Sequence, residues 1–352
     1  MNVTFREPIR VGIAGLGRAG LMLHAPELEK LAGLFRVVAV CDPLKDRRDL
    51  AVAAHGCRAY RRYEDLLADG EVELIDIATR SDDHLAHAVA ALKTRKWVSV
   101  EVPMCLTYEE ALVLRAASIK AGNRLFVRHN RRFEPGFLHV GEIMRSGRLG
   151  EVYDIKLRRG VFQRRDDWQS VFRCGGGQLL NWGPHLIDQA LQLLDAPMTR
   201  LFSDLKRVAA MGDAEDYVRI VMRNAGGLTV DLEVSGGRVI DEPECLATGT
   251  LGALSLAGGV IDLRYLDPAQ KRARRRASVR TPPIEIPEDA ADDLKWIRES
   301  ISVAPQTPSG PAALWERLAA AIRLNKPYPV ALDEAVEVMR IVSLVRKDTA
   351  FA

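Results

Sequence analysis

The chain has 352 residues, 47% hydrophobic and 28% charged, with 27 Gly and 17 Pro. That is enough chain for two packed domains and excludes a disulfide-stapled miniprotein. Fifty Lys+Arg against 47 Asp+Glu leave +3, which excludes the strong global field that nucleic-acid binders carry.

Residues 9–14 read as a short apolar strand that runs into a glycine-rich turn and then a helical stretch to Lys30. Further strands are predicted at 35–41, 74–79, 97–102 and 124–128, with helical patterns between them, among them 82–93. Thr107 and Glu110 form a capping box that opens a helix ending near Gly122. Strands separated by helices imply right-handed crossovers and a parallel sheet covered on both faces, hence an α/β, doubly wound first domain over 1–128.

Beyond about residue 150 the period changes. In 228–235, Leu228, Val230, Leu232 and Val234 fall on one face and Thr229, Asp231, Glu233 and Ser235 on the other. Segments 151–162, 217–223, 245–248 and 260–265 also read as strands, joined largely by Gly- or Asn-containing turns. Without intervening helices they predict a largely antiparallel sheet, an α+β second domain over 129–352. Helices return at 311–323 and 333–346, the latter placed so that it can pack back on the first domain. The basic run at 271–276 reads as a solvated hairpin tip. Five cysteines (Cys41, Cys57, Cys105, Cys174, Cys245) are odd in number and lack CxxC spacing, which fits free thiols in a reducing cytoplasm. The polar N-terminus lacks a signal-peptide core, and no apolar run approaches the ~18 residues that span a bilayer. A soluble, cytoplasmic protein with no nucleic-acid or membrane partner is expected.

The first chemical signal is Gly15-Leu16-Gly17-Arg18-Ala19-Gly20, a GxGxxG between a strand and a helix. Its glycines serve a tight turn, close backbone approach to a pyrophosphate and close helix–strand packing. Asp42 follows 22 residues after Gly20, at the end of the second strand, where a carboxylate can bind adenosine ribose hydroxyls. This favours NAD, and Arg47 and Arg48 leave NADP open. The remaining histidines (His24, His55, His87, His129, His139) show no ligand spacing, so no metal is predicted.

Downstream come Thr79 with Asp82-Asp83-His84, Glu101-Val102-Pro103, Arg131-Arg132-Phe133-Glu134-Pro135 and Gly147-Arg148-Leu149-Gly150. Gly175-Gly176-Gly177, Asn181-Trp182-Gly183-Pro184-His185 with Asp188, Thr248-Gly249-Thr250 and Asn325-Lys326-Pro327 follow. This ordered set resembles the Gfo/Idh/MocA family of nicotinamide-dependent oxidoreductases, the group of glucose–fructose oxidoreductase and inositol dehydrogenase, over nearly the whole chain. The resemblance implies a Rossmann domain and an open-faced sheet domain through which copies associate as dimers or tetramers. It implies a sugar or polyol held between nicotinamide and sheet, with Thr79, His84 and Glu101 on the cofactor side.

Two positions depart from the pattern. Family dehydrogenases carry Lys where this chain has Val102, and Asp where it has Asn181. Valine can neither donate a hydrogen bond nor carry charge, and asparagine can orient a hydroxyl but cannot take its proton. His185 matches the family's catalytic histidine. Pro184 places it in the first turn of a helix, where the dipole keeps an imidazole neutral and able to act as acid/base. Asp188, one turn on, either contacts that ring or merely sits in the turn. Val102, Arg131, Arg165, Trp168, Trp182 and Asp188 stand as substrate-side candidates: Trp168 to stack on a sugar face, an arginine to bind hydroxyls or a carboxylate, Trp182 as a pocket wall or a core residue. The leading expectation is hydride transfer between nicotinamide and a carbinol or carbonyl of a sugar or polyol. The alternatives are a glycosidase that retains NAD and acts by transient oxidation and elimination, or a non-catalytic dinucleotide- or sugar-binding protein.

Overall fold

A computed structural model describes residues 7–270, 279, 294–303 and 311–351. The basic run at 271–276 lies outside them. The first sheet is built from β1 (Ile9–Ala14), β2 (Phe35–Cys41), β3 (Arg58–Tyr60), β4 (Leu74–Ile77), β5 (Trp97–Val100) and β6 (Leu125–Val127). All five pairings are parallel and the order is β3-β2-β1-β4-β5-β6. This is the doubly wound order with its reversal between β1 and β4, and ligands of such sheets bind outside the carboxyl ends of the strands at that reversal. The strands are apolar nearly throughout because helices cover both faces.

The helices of this half are α1 (Ala25–Lys30), α2 (Lys45–His55), α3 (Tyr63–Ala68), α4 (His84–Lys93) and α5 (Tyr108–Lys120). Thr107 caps α5 by accepting from the Glu110 N–H, and Glu110 reaches back to the Leu106 N–H. The pattern predicted this cap. It did not reveal β3 or α2. α2 buries only Ala51 fully, so it has no apolar stripe to read.

After α6 (Pro135–Arg145) the chain forms the second sheet: β7 (Val152–Gly160), then α7 (Gln178–Asn181) and α8 (Gly183–Leu194), then β8 (Met198–Lys206), β9 (Tyr217–Asn224), β10 (Thr229–Ser235), β11 (Cys245–Gly249), β12 (Gly252–Ala257), β13 (Val260–Leu266) and β14 (Trp296–Ser302). The order is β14-β13-β12-β11-β7-β10-β9-β8. Every pair is antiparallel except β7 with β10, which run parallel at the centre. The predicted alternation in β10 holds: Val230, Leu232 and Val234 are buried against the helices. The opposite face carries ion pairs, with Asp231 held by Arg158 and Arg219. β8, β12 and β14 were unforeseen; β8 and β14 are edge strands whose alternation is blurred by partial exposure.

Both C-terminal helices, α9 (Pro311–Leu324) and α10 (Leu332–Arg346), return to the first half. The Ser343 hydroxyl of α10 accepts from the Tyr108 N–H at the start of α5, 3.0 Å away. α9 goes further: Trp315, fully buried, packs edge-on against Phe35 and His24 inside the first domain's core.

Candidate functional site

The glycine loop leaves β1 at the sheet's reversal. Gly15 has φ +91°, and a Cβ there would lie 2.4 Å from the Ala78 carbonyl oxygen at the end of β4. At Gly20 it would lie 2.0 Å from the Gly15 carbonyl oxygen. These two glycines are demanded by the fold itself. Gly17 is different: a Cβ built there meets nothing within 4 Å. Packing within the chain does not require its glycine, whereas a pyrophosphate lying against the backbone does. Asp42, 3% exposed, closes the loop by accepting from the Leu16 N–H at 2.9 Å and the Leu44 N–H at 2.8 Å. Arg47 lies 3.5 Å from the same carboxylate, while Arg48 is tied to the carbonyls of Asp42 and Pro43. Leu16 is buried, Arg18 is exposed, and Ala19 lies between these extremes. The open cradle at Gly17 and the carboxylate behind it fit a dinucleotide.

At the ends of β4 and β5 the sequence-predicted residues divide. The Thr79 hydroxyl meets His87 Nδ1 at 3.1 Å. His84 is buried, with its ring nitrogens on the Pro103 carbonyl (2.7 Å) and the Thr79 carbonyl (3.2 Å). It therefore braces the Glu101-Val102-Pro103 turn. Val102 packs its isopropyl group against the apolar core.

Glu101 sits in a network that the sequence did not reveal. His24 closes a π-helical turn, Gly20–His24, that places its ring between two carboxylates. Nδ1 lies 2.7 Å from Asp76 and Nε2 lies 2.7 Å from Glu101. Arg128 donates to Glu101 (3.0 Å) and to Glu27 (3.4 Å) and stacks 4.0 Å over Trp315, whose indole N–H also donates to Glu27. Burial pushes the His24 pKa down, but Asp76 and Glu101 outweigh it and raise the value to about 9. Burial pushes Glu101 up, and its bonds to His24 and the Arg128 charge reverse this, holding it well below the usual carboxylate range. The imidazolium of His24 and the Glu101 carboxylate are thus the resting forms.

The second half of the site is set by the triple glycine. A Cβ at Gly177 would lie 2.3 Å from Glu215, whose buried carboxylate accepts from the Leu179 N–H and so caps α7. α7 ends at Asn181, and Pro184 opens α8, as predicted, with His185 beside it. His185 Nδ1 is buried with no partner among the described residues. Burial is the main influence lowering the His185 pKa, to about 3, joined by the charges of His129, Arg131 and Arg159, with Glu101 opposing. The ring is therefore neutral at neutral pH.

Trp182 lies 5.7 Å from the His185 ring and carries two guanidinium groups, Arg131 at 4.8 Å and Arg159 at 4.1 Å from its centroid. A cavity of about 390 Å³ opens beside them, lined also by Phe137, Gln189 and Cys245. Trp182 thus sits beside His185 and carries Arg131 on its ring. Trp168 instead faces Arg80, and Arg165 is paired with Asp167 at 2.6 Å, neither lining this cavity. Asp188 does not line this cavity. It is 1% exposed, and both of its oxygens are taken by the Arg132 guanidinium. Arg159 was missed, although its alternation with Ile155 and Leu157 on β7 places it on the helix-covered face.

Comparison with known proteins accords with this geometry. The family model described as "Oxidoreductase family, NAD-binding Rossmann fold" matches residues 9–129, and the GFO/IDH/MocA C-terminal domain matches residues 137–255. The chain is 28% identical over 345 residues to the uncharacterised oxidoreductase YdgJ of Escherichia coli, covering 96% of this chain and 95% of that protein. It is 24% identical to scyllo-inositol 2-dehydrogenase (NADP(+)) IolW of Bacillus subtilis, with 96% and 92% covered. A 30% match to an uncharacterised oxidoreductase of Schizosaccharomyces pombe covers 66% of this chain and 65% of that one. An NAD-binding protein from Listeria innocua superposes with a TM-score of 0.79 at 24% identity, covering 96% and 93% of the two chains. Matched along both halves, the chain belongs to the Gfo/Idh/MocA family and is an NAD(P)-dependent oxidoreductase.

Proposed function

We propose that this enzyme interconverts a carbinol and a carbonyl of a sugar, polyol or derivative, with His185 as the acid/base. One observation carries the reading: His185, at the start of a sheet-domain helix, keeps a buried Nδ1 with no partner among the described residues, available to a substrate hydroxyl. When bound, the nicotinamide supplies the hydride acceptor or donor. The loop of Gly15, Gly17 and Gly20 would hold its pyrophosphate against Gly17 and Asp42 would take the adenosine ribose hydroxyls, which favours NAD, with Arg47 beside it for NADP. Glu101, kept anionic by His24 and Arg128, would accept from a ribose hydroxyl. Neutral His185 takes the hydroxyl proton as the carbonyl forms and returns it in the reverse direction. Asn181 orients that hydroxyl. Val102 leaves an apolar wall where the family has an ammonium group, so the proton is handled by His185 without a cationic partner at that position. Association of copies through the uncovered sheet face belongs to the same reading, and sedimentation measures it.

The test is anaerobic single-turnover absorbance at the reduced-nicotinamide band, with NAD and NADP against polyols, sugars, sugar acids and glycosides. A rise is expected with some carbohydrate, slowed about 10²–10⁴-fold in His185→Ala. Tight cofactor binding with no absorbance change in either direction across the panel overturns the reading. Incorporation of solvent deuterium at a ring carbon would then identify a redox-neutral elimination.

A further inference from the structure

The cavity beside His185 carries more positive charge than a neutral polyol needs. Arg131 and Arg159 stack on the same indole, Trp182, at 4.8 and 4.1 Å. Stacking fixes the plane of a guanidinium and leaves its N–H edge free for a bidentate acceptor. Arg131 is partnered by Glu134, three residues along. Arg159 is exposed and has no hydrogen-bond or ion-pair partner among the described residues. Two further charged residues line the cavity, Arg158 and Glu244. Neither compensates Arg159. Arg158 projects to the opposite face of the sheet, where it holds Asp231 at 2.9 Å. Glu244 is the strand neighbour of Arg158 and alternates with Cys245, which shares the inner face with Leu157, so Glu244 too faces away. One unbalanced guanidinium therefore remains in the lining of a cavity whose Trp182 wall lies 5.7 Å from the ring of the proposed acid/base.

We propose that the substrate carries a single negative charge, a carboxylate on a sugar or polyol, recognised by Arg159 with Arg131 on the surface of Trp182. The inference rests on the dehydrogenase reading above and narrows its substrate class. A carboxylate matches one unpaired guanidinium. A phosphate dianion would bring a second negative charge up to Glu134. Binding an anion here also offsets two of the charges that depress His185, those of Arg131 and Arg159.

The experiment compares matched pairs on the cofactor-saturated enzyme: D-glucuronate with D-glucose, D-galacturonate with D-galactose, and D-glucose 6-phosphate as the dianionic arm. For at least one pair kcat/KM is expected to favour the carboxylate about 10²-fold. Arg159→Gln is expected to reduce that ratio at least about ten-fold, mainly through KM, with partial recovery in Arg159→Lys. Calorimetric titration of the same pairs into protein saturated with NADH reads the anion preference without turnover. If no compound is oxidised but the uronate binds more tightly, loses affinity with added salt and loses its preference in Arg159→Gln, the dehydrogenase reading fails and the anion site stands. Neutral members that bind and react as well as their uronates overturn the anion site, as does a ratio unmoved by Arg159→Gln. Preference for the phosphate over the uronate overturns the carboxylate assignment.

Discussion

At the scale of single residues, the three loop glycines separate what the fold requires from what a ligand requires. Gly20→Ala drives a methyl group to 2.0 Å from a carbonyl oxygen, and the loop must move. Gly17→Ala places its methyl in open space. We expect Gly17→Ala to keep the wild-type melting temperature within a degree or two while weakening dinucleotide affinity about ten-fold or more. Gly20→Ala is expected to lower both stability and affinity. Thermal melts with and without cofactor, beside fluorescence titration of the reduced dinucleotide, check both. An unchanged affinity in Gly17→Ala would remove the case for backbone approach at that position. All three glycines were visible in the sequence because their spacing is local. His24, four residues after Gly20 in the same turn, was not singled out, because its partners Asp76 and Glu101 come from the distant strands β4 and β5.

At the scale of elements, Arg132 connects parts of the chain far apart in sequence. Its guanidinium holds Asp188 on α8, Glu334 on α10 and the Pro329 carbonyl. Arg132 and Asp188 are both nearly excluded from solvent, and removing Asp188 leaves the guanidinium with Glu334 and the Pro329 carbonyl as its remaining partners. Asp188→Ala is expected to cost roughly 1.5–3 kcal/mol in urea unfolding, the loss of charge-assisted hydrogen bonds. The double replacement Arg132→Met with Asp188→Leu is expected to cost much less. A single-variant loss under about 1 kcal/mol would show that solvent reaches the pair. The spacing of His185 and Asp188 made a contact between them plausible from sequence. The helix instead turns Asp188 inward, which only packing against the loop after β6 reveals.

At the scale of the whole molecule, the buried chain Asp76–His24–Glu101–Arg128–Glu27–Trp315 ties the first sheet to the C-terminal helix α9. His24 has a folded pKa of about 9 against 6.5 in the unfolded chain. Its protonation therefore stabilises the fold fully below pH 6.5, and that contribution is lost as pH rises through 9. Unfolding free energy measured by urea from pH 6.5 to 9.5 is expected to fall more steeply in the wild type than in His24→Gln. His24→Gln itself is expected to be less stable at pH 7, because Asp76 and Glu101 then lose the charge between them. Parallel slopes in the two proteins would contradict an imidazolium at this position. His185 acts with the opposite sign: its folded value, about 3, lies below 6.5, so it costs stability as pH falls between those values.

The sequence by itself determined the alternating α/β first half, the alternating strands of the second and the glycine cradle with its carboxylate. It also placed His185 at the start of a helix. Each of these depends on residues close together in the chain, where periodicity and spacing are physical statements about neighbours. Only the tertiary structure decided that β7 and β10 pair in parallel, that α9 completes the first domain's core with Trp315, and that His24 holds Glu101. It alone brought Arg159 onto the indole beside His185. Buried charges are placed by partners that long-range folding supplies, and no local pattern records which partner arrives.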